Sequence, residues 1–133
     1  YWCQQLIAES LGKKGKGFLP VISPAPKDHH SLLQLYLDGP RDKIFYIFSL
    51  DSKYNHSLFK IKLAQKNAFL SILKKKKIPY REFKIRNFSE EVIGELFAYF
   101  MLETSIVGKT ININPFNQPA VEQVKNNTKK MLA

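Results

Sequence analysis

Residues Lys43 to Leu50 read KIFYIFSL, a nearly unbroken run of Ile, Phe and Tyr. Aromatic and β-branched side chains at consecutive positions suit a strand buried on both faces, as in parallel sheets. Such a strand needs helices on either side of its sheet, and the flanking sequence supplies them. Asp28 is placed to cap a helix through about Leu37 that stops at Asp38-Gly39-Pro40. A further helix covers Leu63 to Lys75, an extended segment follows from Tyr80 to Arg86, and Ser89-Glu90-Glu91 opens a helix whose apolar spacing continues to about Val107. Upstream, Tyr1 to Ser10 reads as the end of an amphipathic helix with Trp2, Leu6 and Cys3 inward and Gly12 as its stop. Phe18 to Ser23 reads as a short buried strand running into Pro24 and Pro26. Thr110 to Asn114 suits a short strand or a turn, and Pro119 takes the first position of a last helix, where its missing N–H costs little. Helices alternating with apolar strands predict an α/β fold, a layered α/β/α sandwich with a mostly parallel sheet.

The remaining global features narrow the function. Aromatic residues make up 13% of the 133 residues, too many for a disordered tail. No apolar run approaches the roughly 20 residues of a membrane span, so no membrane partner is expected. The single cysteine excludes an internal disulfide and any multi-cysteine zinc site, and it fits a reducing cytoplasm. The chain starts at Tyr1 rather than Met, so further sequence is expected upstream.

The formal net charge of +10 raises the question of nucleic acid. Most of the excess is lysine, whereas arginine is the residue that reads bases bidentately. The dense runs, Lys13-Lys14-Gly15-Lys16 and Lys74 to Lys77, lie far apart, and no helix-turn-helix, zinc-finger or RNA-binding aromatic motif accompanies them. A generally basic surface without a nucleic-acid partner is the expectation.

Gly108-Lys109-Thr110 mimics a phosphate-binding loop, but that motif needs a glycine five positions earlier, where Glu103 stands. The segment Gly12 to Gly17 is either a flexible solvated turn or a loop whose N–H groups approach phosphate. His29 and His30 are adjacent, so on a helix they point about 100° apart and cannot easily share a metal. With no cysteine or helical histidine pair in support, no metal is expected. An imidazole at a helix start is an acid–base group in some sites and an ordinary surface side chain in more. Gln118 and Lys125 are seven apart and share a helical face, with Cα atoms about 10 Å apart. They form either a capping amide and a solvated lysine or one edge facing an anion at a helix N-terminus. Glu9 lies at the C-terminal end of its helix, where the dipole disfavours negative charge. That setting suits a base that takes a proton from carbon near neutral pH, although an exposed glutamate is the ordinary alternative.

Three segments together resemble one family. Gln4-Gln5-Leu6-Ile7-Ala8-Glu9-Ser10-Leu11-Gly12-Lys13 resembles the segment in which glucose-6-phosphate isomerases carry a catalytic Glu followed by Ser, one residue, Gly and Lys. His30-Ser31-Leu32-Leu33-Gln34-Leu35 resembles their catalytic-histidine helix, in a register that selects His30 over His29. Asn114 to Lys125, NPFNQPAVEQVK, resembles their C-terminal signature. The segments occur in the family's order and span nearly the whole chain. The resemblance implies a sugar-isomerase (SIS-type) fold and interconversion of glucose 6-phosphate and fructose 6-phosphate without a cofactor. It implies that Glu9 moves a proton between C2 and C1 through a cis-enediol, that His30 and Lys125 assist ring opening, and that Gln118 contacts substrate near its phosphate. It also implies a homodimer, because the family's histidine reaches a neighbouring subunit's site.

This sequence departs from the family pattern at Ala120, where glycine is usual, at Leu11, often Asn, and at Asn117, often Asp. None of these removes a proposed catalytic group. Family members are several times longer, and their N-terminal sugar-isomerase domain supplies the phosphate-binding Ser/Thr loop. Residues 1–133 are therefore expected to be the C-terminal SIS-type domain of a longer, cytoplasmic isomerase, inactive by itself. The rival readings are a non-catalytic sugar-phosphate-binding module and, further off, a basic nucleic-acid-binding domain.

Overall fold

The computed structural model describes residues 1–50 and 56–133. They form two compact units, Ser23–Val92 on one hand and Tyr1–Ile22 with Ile93–Ala133 on the other.

The Ser23–Val92 unit is built on β1 (Phe45–Leu50) and β2 (Tyr80–Ile85), which pair in parallel from Phe45↔Tyr80 to Leu50↔Ile85. A parallel pair needs a long crossover, and α3 (Ser57–Lys75) lies between the strands in sequence. His56 caps α3 by accepting the Leu58 N–H on Nδ1 at 3.3 Å. Its far end is closed by a Schellman turn, with Ile78 N–H on Leu73 O at 2.9 Å and Lys77 N–H on Lys74 O at 3.1 Å. Lys77 occupies the left-handed position of that turn, φ 56°. Leu73, at the start of the turn, is fully buried.

Strand side chains alternate between faces, so Phe45, Ile47 and Ser49 share one face with Tyr80, Glu82 and Lys84. On this face Phe45 packs edge-on against Phe69 of α3 at 5.6 Å and against Tyr36 of α2 (Leu33–Asp38) at 5.3 Å. Beside these rings the Lys66 ammonium donates to Glu82 Oε1 at 2.7 Å and to Ser49 Oγ at 3.3 Å. That ammonium holds the Glu82 carboxyl below its ordinary value. On the opposite face Phe48 and Phe83 stack at 4.9 Å, and Arg81 lies over Tyr46 at 5.1 Å. Phe48 is 48% exposed, so β1 is covered on one face and half-open on the other, not buried on both as the KIFYIFSL run suggests.

In the other unit, α1 (Trp2–Leu11), α4 (Glu90–Thr110) and α5 (Pro119–Leu132) are the helices. α4 starts in the neighbouring unit, at Glu90, with Ser89 Oγ accepting the Val92 N–H at 3.4 Å. Leu11 of α1, Phe100 of α4 and Ile113 are the buried apolar residues of this unit, and Trp2 packs on Phe97 at 4.4 Å. α4 also ends in a Schellman turn, Ile113 N–H to Gly108 O and Asn112 N–H to Lys109 O, with Asn112 at φ 56°. Within the Thr110 to Asn114 segment, Thr110 thus ends α4 and the rest is a turn.

The α/β class with a parallel sheet is the one the sequence predicts. Two further local expectations are corrected. Phe18 to Ser23 forms no strand, and Phe18, Leu19 and Val21 are exposed. Pro20 sits inside it and has no N–H to give a ladder; its carbonyl instead accepts the Gln4 side chain at 2.8 Å. Asp28 does not cap a helix reaching Leu37. It lies within a 3-10 turn, Lys27–His29, closed by the His29 N–H on Pro26 O and the His30 N–H on Lys27 O, both at 3.1 Å, and α2 begins only at Leu33. Among the described residues no helix is long and apolar enough to cross a membrane.

Candidate functional site

Glu9 is half-buried on the last turn of α1. Its carboxylate is held by two amides. Gln118 Nε2 donates to Oε2 at 2.9 Å, and Gln5 Nε2 donates to Oε1 at 3.1 Å. Gln5 stands one helical turn before Glu9, the spacing at which helix side chains meet. Gln118 arrives from 109 residues further along the chain.

The local structure explains how Gln118 gets there. After the Schellman turn of α4, Asn114 Oδ1 accepts the Phe116 N–H at 2.9 Å, which bends the chain. Pro115 packs against Gly108, where an added Cβ would stand 3.1 Å from the proline ring. Gly108 therefore serves close packing in α4, and Gly108-Lys109-Thr110 is helical rather than a phosphate loop. Gln118 is the N-cap of α5 and Pro119 its first residue, but the Gln118 side chain makes no capping hydrogen bond. Its amide is committed to Glu9 instead, so the reading of Gln118 as a capping amide is set aside.

The basic loop after α1 completes this arrangement. Lys13 Nζ donates to Ser10 O and to Asn114 O, both at 2.8 Å, and Lys16 Nζ donates to Ile111 O at 2.6 Å. Partial burial pulls the Lys13 ammonium below its ordinary value. Two of the loop's lysines thus bond main-chain carbonyls of the α4–α5 connection.

Lys125 lies two turns along α5 from Gln118 and pairs with Glu122 at 2.8 Å, both side chains largely exposed. His30 belongs to the Ser23–Val92 unit, where it is exposed at the end of the 3-10 turn. Its neighbour His29 is turned inward, 5.2 Å from the Phe69 ring. The structure thus joins Glu9 to Gln118 directly and places Lys125 on the Gln118 helix. Gln5 and Lys13 are the contacts that residue-by-residue reasoning missed. The first was legible in its four-residue spacing from Glu9; the second depends on a partner 101 residues away. Among the described residues no group of three or more His, Cys, Asp or Glu is arranged to hold a metal.

No protein-family model matches the chain. It is 35% identical to a probable glucose-6-phosphate isomerase of Methanococcus maripaludis, over 93% of this chain and 32% of that protein. It is 34% identical to a glucose-6-phosphate isomerase of Methanocaldococcus jannaschii, over 93% of this chain and 35% of that protein. A glucose-6-phosphate isomerase of Mycoplasmopsis synoviae is 33% identical, over 95% of this chain and 34% of its own length. The chain thus spans about a third of the length of these relatives. Among solved structures, a hypothetical protein of Thermus thermophilus superposes with a TM-score of 0.78 at 27% identity, over 99% of this chain and 37% of that one.

Proposed function

We propose, from the premise that this chain is kin to the glucose-6-phosphate isomerases over a third of their length, that it is the C-terminal catalytic part of an aldose–ketose isomerase. The reaction interconverts glucose 6-phosphate and fructose 6-phosphate, in glycolysis and gluconeogenesis. The observation that carries this reading is the bond between Glu9 and Gln118. It unites two motif segments from opposite ends of the chain around one carboxylate.

The chemistry follows from a carboxylate held at both oxygens. With the sugar ring open, the Glu9 carboxylate takes the proton from C2. The C2–H electron pair forms the C1–C2 double bond, and the C1 carbonyl oxygen gains a proton, giving a cis-enediol. Glu9 returns its proton to C1 while the C2 hydroxyl gives up its proton and becomes the ketone; that proton replaces the one taken up at the C1 oxygen, so no atom or electron is gained or lost. A base fixed by two amides has its orientation set before substrate arrives, which is where positioning lowers a barrier. His30 and Lys125 assist ring opening, which moves a proton from the anomeric hydroxyl to the ring oxygen. Gln118 bridges Glu9 and the substrate's phosphate-bearing end, and Lys125 adds positive charge on the same helix face. These assignments rest on the family resemblance of the motifs. A homodimer and a cytoplasmic location belong to the same proposal, the first from the family's shared histidine and the second from the single cysteine.

The test compares the isolated 133 residues with the longer protein that carries them, in a coupled assay for fructose 6-phosphate. The longer protein is expected to turn over and to wash solvent deuterium into the sugar. The isolated chain is expected to show little or no turnover. A longer protein that binds the sugar phosphate without exchanging its proton would instead be a binding module.

A further inference from the structure

We infer that Lys13 is a positioning residue for the reaction, the tether that brings Gln118 onto Glu9; this inference rests on the isomerase reading above. One ammonium carries both bonds. It donates to Ser10 O, the carbonyl next to Glu9 in sequence, and to Asn114 O, four residues before Gln118. The two acceptors lie on separate segments, and the same two segments supply the Glu9–Gln118 pair. A lysine has three donors and no acceptor, so it can bridge two carbonyls at once. Hydrogen bonds from a charged donor are stronger than neutral ones and hold their acceptors at shorter range.

The chain around Lys13 is shaped for this task. Gly12 turns the chain off α1, where an added Cβ would stand 2.8 Å from Ala8 O. Lys13 N–H then returns to Leu11 O at 2.9 Å, which keeps the residue folded back over the helix end. Lys16 adds a second tether to the same connection, its ammonium at Ile111 O, while its N–H returns to Lys13 O at 2.9 Å within the loop. Lys13 alone among these two lysines joins the base's own helix to the segment bearing Gln118. Its removal leaves the catalytic groups in the protein but frees Gln118 from its distance to Glu9.

The experiment is a double-mutant cycle in the longer protein. Lys13→Met removes the donors and keeps the length of the side chain. It is expected to lower kcat by about 10–100-fold, as misplacement of a catalytic group by an ångström does, and to raise KM no further than Gln118→Ala does. Lys13→Arg, which keeps donors for both carbonyls, is expected to restore most of that loss. The decisive arm is Lys13→Met in a Gln118→Ala background. If Lys13 acts through Gln118, the double variant turns over like Gln118→Ala alone, within about twofold. An additive loss, or an unchanged kcat in Lys13→Met, overturns the inference. If Lys13→Met fails to fold, Lys13→Gln enters the same cycle with the same expected non-additivity. Glu9→Gln run alongside separates the two levels. Normal turnover in that variant refutes the isomerase reading, whereas an inactive Glu9→Gln with an additive cycle refutes the Lys13 role alone.

Discussion

Two glycines in the loop after α1 give the same substitution two different magnitudes. Gly17 has φ 97°, and a Cβ there would stand 2.5 Å from Leu11 O and 2.9 Å from Gly12 Cα. Those are main-chain atoms, so no side chain can swing away. The Leu11 contact is about 0.9 Å short of the 3.4 Å at which ordinary contact begins. In Gly17→Ala, the strained backbone costs about 1–3 kcal/mol. The overpacking adds about 1–3 kcal/mol, and restriction of the unfolded chain returns only about 0.4–1 kcal/mol. The net expectation is a loss of about 3 kcal/mol. Gly15 has φ 70° with open space around it. There alanine meets only the left-handed penalty, about 1–2 kcal/mol less the same return, for a net loss of about 1 kcal/mol. Trp2 is the single tryptophan and packs on Phe97 in this unit, so its fluorescence reports the unfolding. At a urea slope of about 1.5 kcal/mol/M, Gly17→Ala lowers the midpoint by about 2 M and Gly15→Ala by about 0.7 M. Equal shifts for the two variants would refute the argument that the Leu11 contact, beyond the sign of φ, requires glycine at position 17.

Lys77→Gly is expected to stabilise the Ser23–Val92 unit by about 0.5–1 kcal/mol, because the Schellman turn of α3 then carries no left-handed penalty; a denaturant titration checks it. Leu73→Ala, at a fully buried position, is expected to cost about 2–5 kcal/mol in the same titration. Glu82 has its carboxyl lowered by the Lys66 bond, so it stabilises the folded state above the ordinary glutamate value. That contribution is lost as pH falls from there through the lowered value. Glu82→Gln is therefore expected to cost about 1–2 kcal/mol at pH 7 and little at pH 2–3, and a loss independent of pH would contradict the assigned cause.

Much of this arrangement is written locally in the sequence. The KIFYIFSL run marks β1, Ser89-Glu90-Glu91 marks the start of α4, and Gln118-Pro119 marks the start of α5, because caps and apolar periods act over a few residues. Phe18 to Ser23 misled because its apolar character matched a strand while Pro20 lacked the donor a strand needs. Asp28 misled because the backbone there closes a tight turn, His29 N–H on Pro26 O and His30 N–H on Lys27 O, and side-chain type alone does not reveal those bonds. For the site, the family motifs named Glu9, His30, Gln118 and Lys125. The bond from Gln118 to Glu9 spans 109 residues and depends on how α1, α4 and α5 come together. Lys13 could be read from its loop as a solvated charge or a phosphate contact. Its two carbonyl acceptors became visible only once the Asn114 turn was folded against the end of α1.

Proton exchange in Glu9→Gln tests the central claim most directly. The substitution keeps the shape of the side chain and an oxygen that Gln118 can still bond, while removing the base. In the longer protein, incorporation of solvent deuterium at C1 and C2 of the sugar phosphate is expected to fall by at least about 100-fold, with sugar-phosphate binding retained. Exchange within a few-fold of the unmodified protein would contradict the assignment of Glu9 as the group that carries the proton.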